Sequence, residues 1–332
     1  MTAWPPPWLA LVVVAAIPAS CNRDAAQDRG GATPISPPET IDRAAGDAGP
    51  PTAATPAGDP EDTTPAMEKH VVRVDVESVS DLKRAADEHR ALARGDENAR
   101  LEIVLAPGEY DEPALSLSDP PGRRGRVEVV LRGAGGGASV LRRPRVRISG
   151  SRVQARDLVI HKAPRDRIAL ELAATEEILV DGLAFVDTTF RDLSGRGARR
   201  RNGVLVLQPT AEGATAILRE TWFARGRPGE RTGLVSVLGG APRFAEVSFS
   251  RVGFAGISGG PAVSAHAPAK LTFSQSPLLG DGGDGFLKLY GEDLEVTPPD
   301  WGKHSTPIAD DALDRIAQAA LRGEKPAPPD GW

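Results

Sequence analysis

One phrase is written five times between Ile168 and Val296: a short alternating apolar run, a small gap, then an apolar run closing on an aromatic or aliphatic residue. The pairs are IALELA with ILVDGLAFV, GVLVLQ with AILRETWFA, GLVSVLG with AEVSFSRVGF, AVSAHA with KLTFSQSPLL, and GFLKLYG with DLEV. The first runs begin at Ile168, Gly203, Gly233, Ala262 and Gly285, so the phrase recurs after 35, 30, 29 and 23 residues. A constant phrase at a varying period marks a solenoid whose strands are fixed while its loops absorb insertions. The pattern constrains shape and carries no reaction.

Within each phrase apolar residues alternate at period two, in short runs bounded by glycine, proline or charge clusters, which predicts strands. No helical period survives between Val127 and Val296. An antiparallel sandwich also produces many short strands. The common phase of Ile160, Phe185, Phe223, Phe254 and Leu278 argues instead for stacked coils that contribute equivalent residues to one interior. Neighbouring coils then lie about 4.8 Å apart, and each large buried side chain contributes on the order of 2 kcal/mol.

Two helices are expected at the ends. Ser80 to Leu92 reads as the first, with Ser80 as N-cap, Asp81 in the first turn, Leu82, Ala86, His89 and Ala93 on one face, and Gly95 after it. It would cover the open end of the solenoid, with His89 as a packing residue. The second spans Asp310 to Arg322, presents Leu313, Ile316, Ala317, Ala320 and Leu321, and would pack on the side of the solenoid or close its far end.

A capping helix, then IVLAPGEY, then VEVVLRGAGGGASVL, then coils resembles the opening of proteins in the pectate-lyase-like superfamily of right-handed parallel β-helices. The resemblance covers residues 71 to 296. It implies an all-β fold, a right-handed parallel β-helix over 70–300, with a C-terminal extension over 301–332. It leaves activity open, because the superfamily contains lyases, hydrolases, esterases and proteins that only bind.

The first 69 residues point to destination. Leu9 to Ala16 is an apolar run too short to span a bilayer, followed by Ile17, Pro18, Ala19, Ser20 and Cys21, the only cysteine. This resembles a bacterial lipoprotein signal over 1–21, although Pro18 stands where such signals usually have leucine. It implies export to the cell envelope, with lipidation at Cys21 and an outer-membrane or surface location. The alternative is an ordinary cleaved signal peptide with an incidental cysteine. Residues 22–69, rich in Pro, Ala, Thr, Gly and Asp, have little to bury and read as a disordered leash. The leash holds nine acids against four bases, the whole of the formal charge of −5, so the remainder of the chain is formally neutral.

Several apparent motifs carry nothing. Gly133 to Gly137 lies between strands, with no following helix to bind a pyrophosphate, so no cofactor is expected. Gly108 to Glu112 matches the G-x-Y-x-E of pectin methylesterases, but segments bearing that enzyme's aspartates have no counterpart. Asp281 to Gly285 is too poor in oxygen ligands for a calcium loop. The five histidines are scattered, so no metal site is expected.

One constellation remains. Aligned phrases bring the loops after Ile160, Phe185 and Phe223 to one corner of successive coils. They carry Arg165 and Arg167, then Arg199, Arg200 and Arg201, then Arg225, Arg227 and Arg231, a net charge of about +7 by counting from the sequence. Arg156, Asp181 and Arg219 would stand outward on adjacent strands, and Trp222 has an outward phase that suits sugar stacking. These arginines predict binding of an acidic polysaccharide through guanidinium–carboxylate or guanidinium–sulfate pairs. The bland reading is a solvated surface in a chain that has 33 Arg against 7 Lys. The favoured expectation is a lipid-anchored monomer that binds or scaffolds, with no nucleic acid partner. The alternative is a polysaccharide lyase or glycoside hydrolase, for which Asp181, Asp187 and Asp192 are the candidate catalytic carboxylates.

Overall fold

The alternation that predicts the strands also decides which side of each strand turns inward. The computed structural model describes residues 70–95, 99–118, 127–134, 138–191, 203–239, 245–279, 286–297, 305–306 and 308–324. The signal, Cys21, the leash, Asp192, Arg199, Arg200, Arg201 and the Asp281 loop lie outside the described residues.

The chain winds about seven turns of a parallel β-solenoid with three faces. One turn runs from Thr215–Arg219 on the first face to Trp222–Ala224 on the second and Val235–Leu238 on the third. It returns to the first face at Ala245–Ser250. Eight strands form the second face, from Gly108–Asp111 to Ser305–Thr306. The first and third faces join in one 14-stranded sheet, because Arg145–Arg156 and Leu170–Asp181 each run from the third face into the first.

The predicted common phase is the register of the second face. Phe185 pairs with Ile160 on one side and Phe223 on the other, Phe223 with Phe254, and Phe254 with Leu278. Ring centroids are 4.6 Å apart from Phe185 to Phe223 and 5.0 Å from Phe223 to Phe254, with nearly parallel planes. A second stack, Phe249 on Phe273 at 4.4 Å, fills the first-face side of the same core. Parallel strands in register place like residues on like, so a chain that repeats phenylalanine at one phase builds a continuous aromatic rung.

A strand the sequence reading did not separate, Val71–Val76, precedes the first helix and pairs with Arg100–Leu105. Helix α1 then spans Asp81–Gly95. Its buried residues are Leu82, Ala85, His89, Leu92 and Ala93, so Ala85 and Leu92 join the expected face, and Ala86 packs against the same core partly buried. His89 is only 1% exposed, as a packing residue. The Asp81 carboxylate accepts the backbone N–H groups of Glu77 and Ser78 at 3.0 and 2.9 Å, tying down the turn that enters the helix. The tyrosine of the G-x-Y-x-E segment is a brace: Tyr110 is buried, and its hydroxyl donates to the carbonyls of Val76 and Ala106.

Helix α2, Asp310–Leu321, packs on the side of the solenoid, not across its end. Ile316, Ala317 and Ala320 close over Val186, Trp222, Ala224, Ala255 and Leu279, the outward residues of the second face.

Candidate binding edge

The corner between the second and third faces is built by one residue per turn in a left-handed conformation. Glu112, Arg143, Lys162, Asp187 and Arg225 all have φ between 49° and 54°. Each donates its N–H to a carbonyl one turn further along, Lys162 to Val186, Asp187 to Ala224 and Arg225 to Ala255 among them. Those bonds hold non-glycine residues in a region that otherwise costs about 1 kcal/mol. The corner residues therefore form a column from which the loops depart.

The described segments of the three predicted loops lie side by side. Arg191 N–H donates to the Arg165 carbonyl at 2.6 Å, Arg227 N–H to Thr188 at 2.8 Å, and Phe190 N–H to Arg227 at 2.9 Å. Lys162, Arg165, Arg167, Arg191, Arg227 and Arg231 are exposed along this edge, with Asp166 and Glu230 as its exposed acids. Lys162 and Arg191 join the predicted arginines. The last loop also reaches across the third face, where Lys288 donates to the Glu230 carbonyl at 3.1 Å and the Tyr290 hydroxyl donates to that of Arg231.

Arg225 differs from its predicted companions. Its Nε stands 2.7 Å from Asp187 Oδ1, Nη2 donates to Asp187 Oδ2 at 3.0 Å, and Nη1 donates to Asp314 of α2 at 2.9 Å. It braces the corner against the helix and offers little charge to a ligand. Trp222 requires a correction. Its outward phase is right, but the indole is 8% exposed beneath the cover of α2 and lies over Gly253, whose missing side chain leaves room for the ring. It presents no open platform.

The carboxylates are also committed. Asp181 ends its strand on the first face and accepts from Arg219 at 2.8 Å, with Arg156 as its cross-strand neighbour on the other side. Asp187 lies beyond the far end of strand Ala184–Val186 and is held by Arg225. The two stand at different corners, each against a guanidinium. Among the described residues no group of three His, Cys, Asp or Glu side chains is placed to hold a metal ion.

A contact missed in the sequence is His161 Nε2, 3.4 Å from Asp187 Oδ2. Burial pushes the imidazole below its ordinary value of 6.5, against the pull of the Asp187 carboxylate and with help from neighbouring Lys162. The unfolded chain therefore takes up this proton at a higher pH than the folded protein. The stability is fully present above pH 6.5 and falls as the pH drops below that value, until the folded imidazole itself protonates. His161→Gln should flatten this acid-side loss. Melting temperatures taken between about pH 7.5 and 5.5 check it; parallel curves for the two proteins would refute the assignment to His161.

No protein-family model, curated protein or solved structure matches this chain.

Proposed function

We propose that this β-solenoid is an exported, lipid-anchored binding protein of the cell envelope that holds an acidic polysaccharide along its basic edge without turning it over. One observation carries the reading: loop segments hydrogen-bonded side by side expose Lys162, Arg165, Arg167, Arg191, Arg227 and Arg231 at one edge of a domain that is formally neutral as a whole. Turns about 4.8 Å apart bring these charges close enough to act together on a chain of carboxylates or sulfates. Guanidinium groups suit both anions. Export and the anchor at Cys21 rest on the signal-like residues 1–21, and the leash to residue 69 would hold the domain away from the membrane. Membership of the pectate-lyase-like superfamily is part of the same reading, supported by three-faced parallel coils and a helix, Asp81–Gly95, at their N-terminal end. The lyase or hydrolase alternative is disfavoured by Asp181 and Asp187, each paired with an arginine and separated by a strand.

The test is a panel of acidic and neutral polysaccharides at low and high salt. Acidic chains should bind, neutral ones should not, and the attraction should fade as the screening length drops below about 8 Å. Changing Arg165, Arg191 and Arg227 to serine should weaken binding about tenfold. Binding indifferent to salt and to these changes would reduce the arginines to solvated surface. Release of unsaturated oligosaccharides or new reducing ends would favour the enzyme instead. Mass spectrometry should find a diacylglyceryl cysteine at Cys21 as the mature N-terminus; Met1 still attached to an unmodified Cys21 would refute export and anchoring together.

A further inference from the structure

A cleft of about 340 Å³ opens on the third face, away from the part of that face crossed by the Arg225–Thr232 loop. Three successive turns build it. Ser116 comes from the first, Arg145 and Arg147 from the second, and Arg167 and Glu171 from the third. Arg145, Arg147 and Arg167 are exposed; Val146 and Ile168 supply an apolar flank. Glu171 is the unusual member, because it belongs to the outward set of the sheet yet is only 7% exposed. Its cross-strand neighbour is Arg147, whose Nε stands 3.5 Å from Glu171 Oε1. That oxygen is sealed from solvent and receives no hydrogen bond.

These features do not describe a closed structural salt bridge. A charge-assisted pair that existed only for stability would close to about 2.7–2.9 Å, and a buried carboxylate without donors is costly. Glu171 instead holds the Arg147 guanidinium beside the cleft, with the arginine side chain still 52% exposed. Within the lining three guanidinium groups stand against one carboxylate, a surplus of two positive charges; Asp166, 3.9 Å from Arg167 Nε, lies outside it. That surplus matches the near −2 charge of a phosphate monoester at neutral pH better than the single charge of a carboxylate or sulfate ester. The volume lies at the low end of small-molecule sites, roughly 300–1,000 Å³. The lining contains no aromatic ring for a nucleobase, while Ser116 and the second carboxylate oxygen of Glu171, Oε2, can meet hydroxyl groups.

We infer that this cleft binds the phosphate monoester of a small polyol or sugar, with Arg145, Arg147 and Arg167 on the phosphate and Ser116 and Glu171 toward the hydroxyls. The site does not depend on the polysaccharide reading of the neighbouring edge. Glucose 6-phosphate, inorganic phosphate, glucuronate and glucose are titrated calorimetrically into the full mature protein. Glucose 6-phosphate should saturate with a Kd below about 1 mM, glucuronate should bind about tenfold more weakly, and glucose should give no heat. Affinity should fall as the pH drops below about 6, where the phosphate gains its second proton. Arg145→Gln changes an exposed residue, so folding is not at stake, and it should weaken glucose 6-phosphate about tenfold. Glu171→Gln should erase the preference for glucose 6-phosphate over inorganic phosphate. The edge variant with Arg165, Arg191 and Arg227 changed to serine should bind glucose 6-phosphate normally, so failure of one site is distinguishable from failure of the other. A glycan bearing phosphomonoesters, run beside the free sugar phosphate, separates a polymer end from a small metabolite as the source. No saturation below about 10 mM, or equal affinity for all three anions, overturns the assignment.

Discussion

Replacing Phe223 with alanine should cost the solenoid about 3–5 kcal/mol, among the largest losses any single core truncation gives. Phe223 is fully buried and is sandwiched, its ring 4.6 Å from that of Phe185 and 5.0 Å from that of Phe254. Neither neighbour can collapse into the space left behind. Each is fixed by its own strand, and the strands are held apart by their backbone ladder at about 4.8 Å. The cavity therefore stays largely open, and two favourable ring contacts, worth about 0.5–1.5 kcal/mol each beyond burial, vanish with it. Phe273→Ala is the internal comparison. That ring stacks on Phe249 and is 6% exposed where Phe223 is fully buried, so the gap it leaves is less enclosed and its loss should be smaller. Urea unfolding of the full chain measures both. Because a solenoid couples each turn only to its neighbours, Phe223→Ala should also broaden or split the transition, separating the turns on either side of the gap. A loss below about 1 kcal/mol with an unchanged slope would mean the rung is not what binds the turns together.

The rung was legible for a specific reason. In parallel stacking, identity of phase becomes identity of position, so Phe185, Phe223 and Phe254 announce one column before any coordinate is known. The corners were not legible. Left-handed residues usually advertise themselves as glycine or asparagine, and Gly182 and Gly256 do, but Glu112, Arg143, Lys162, Asp157, Glu220 and Arg251 stand in the same conformation. Their φ values are held by hydrogen bonds to the adjacent turn, a non-local cause that no dipeptide pattern carries.

The edge shows the same division. Loop alignment brought Arg165, Arg191 and Arg227 to one corner, since loops must follow the strands they leave. Charge counting could not show that Arg225 is spent on Asp187 and Asp314, because pairing depends on side-chain direction. Trp222 was read correctly in phase and wrongly in exposure. Period two says which way a strand residue points, but not that a helix nearly ninety residues later covers it. Glu171 was hidden for a related reason. Its neighbour Arg147 lies one turn back, a separation set by the third-face register and absent from the local sequence.

That cover leads to the second large effect. A single aspartate in α2 should peel the helix away while leaving the solenoid folded. Ala317 and Ala320 are fully buried, and Ile316 is 8% exposed, against Val186, Ala224, Ala255 and Leu279. The approach is close because the residues are small on both sides. A Cβ at Gly256 would stand 2.4 Å from Leu313 of the helix, so a longer side chain at position 317 has no comparable room. Ala317→Asp would bury an unpaired carboxylate, and the cheapest escape is for the helix to undock so that water reaches the charge. The main core is a separate cluster on the inner side of the strands and does not require α2. The expected readouts are a red shift in Trp222 emission, taken as the difference from a Trp222→Phe background, and loss of amide protection over 310–321 with the principal thermal transition nearly unmoved. Gln318→Asp, one position along on the exposed side of the same helix, should change neither. Asp314→Asn should also leave the helix docked. The Arg225–Asp314 pair involves an aspartate whose side chain is 66% exposed, and such pairs contribute about 0–1 kcal/mol, well below the apolar contact. Undocking by Asp314→Asn would reverse this order and make the ion pair the latch. Global unfolding by Ala317→Asp would instead make α2 part of the core.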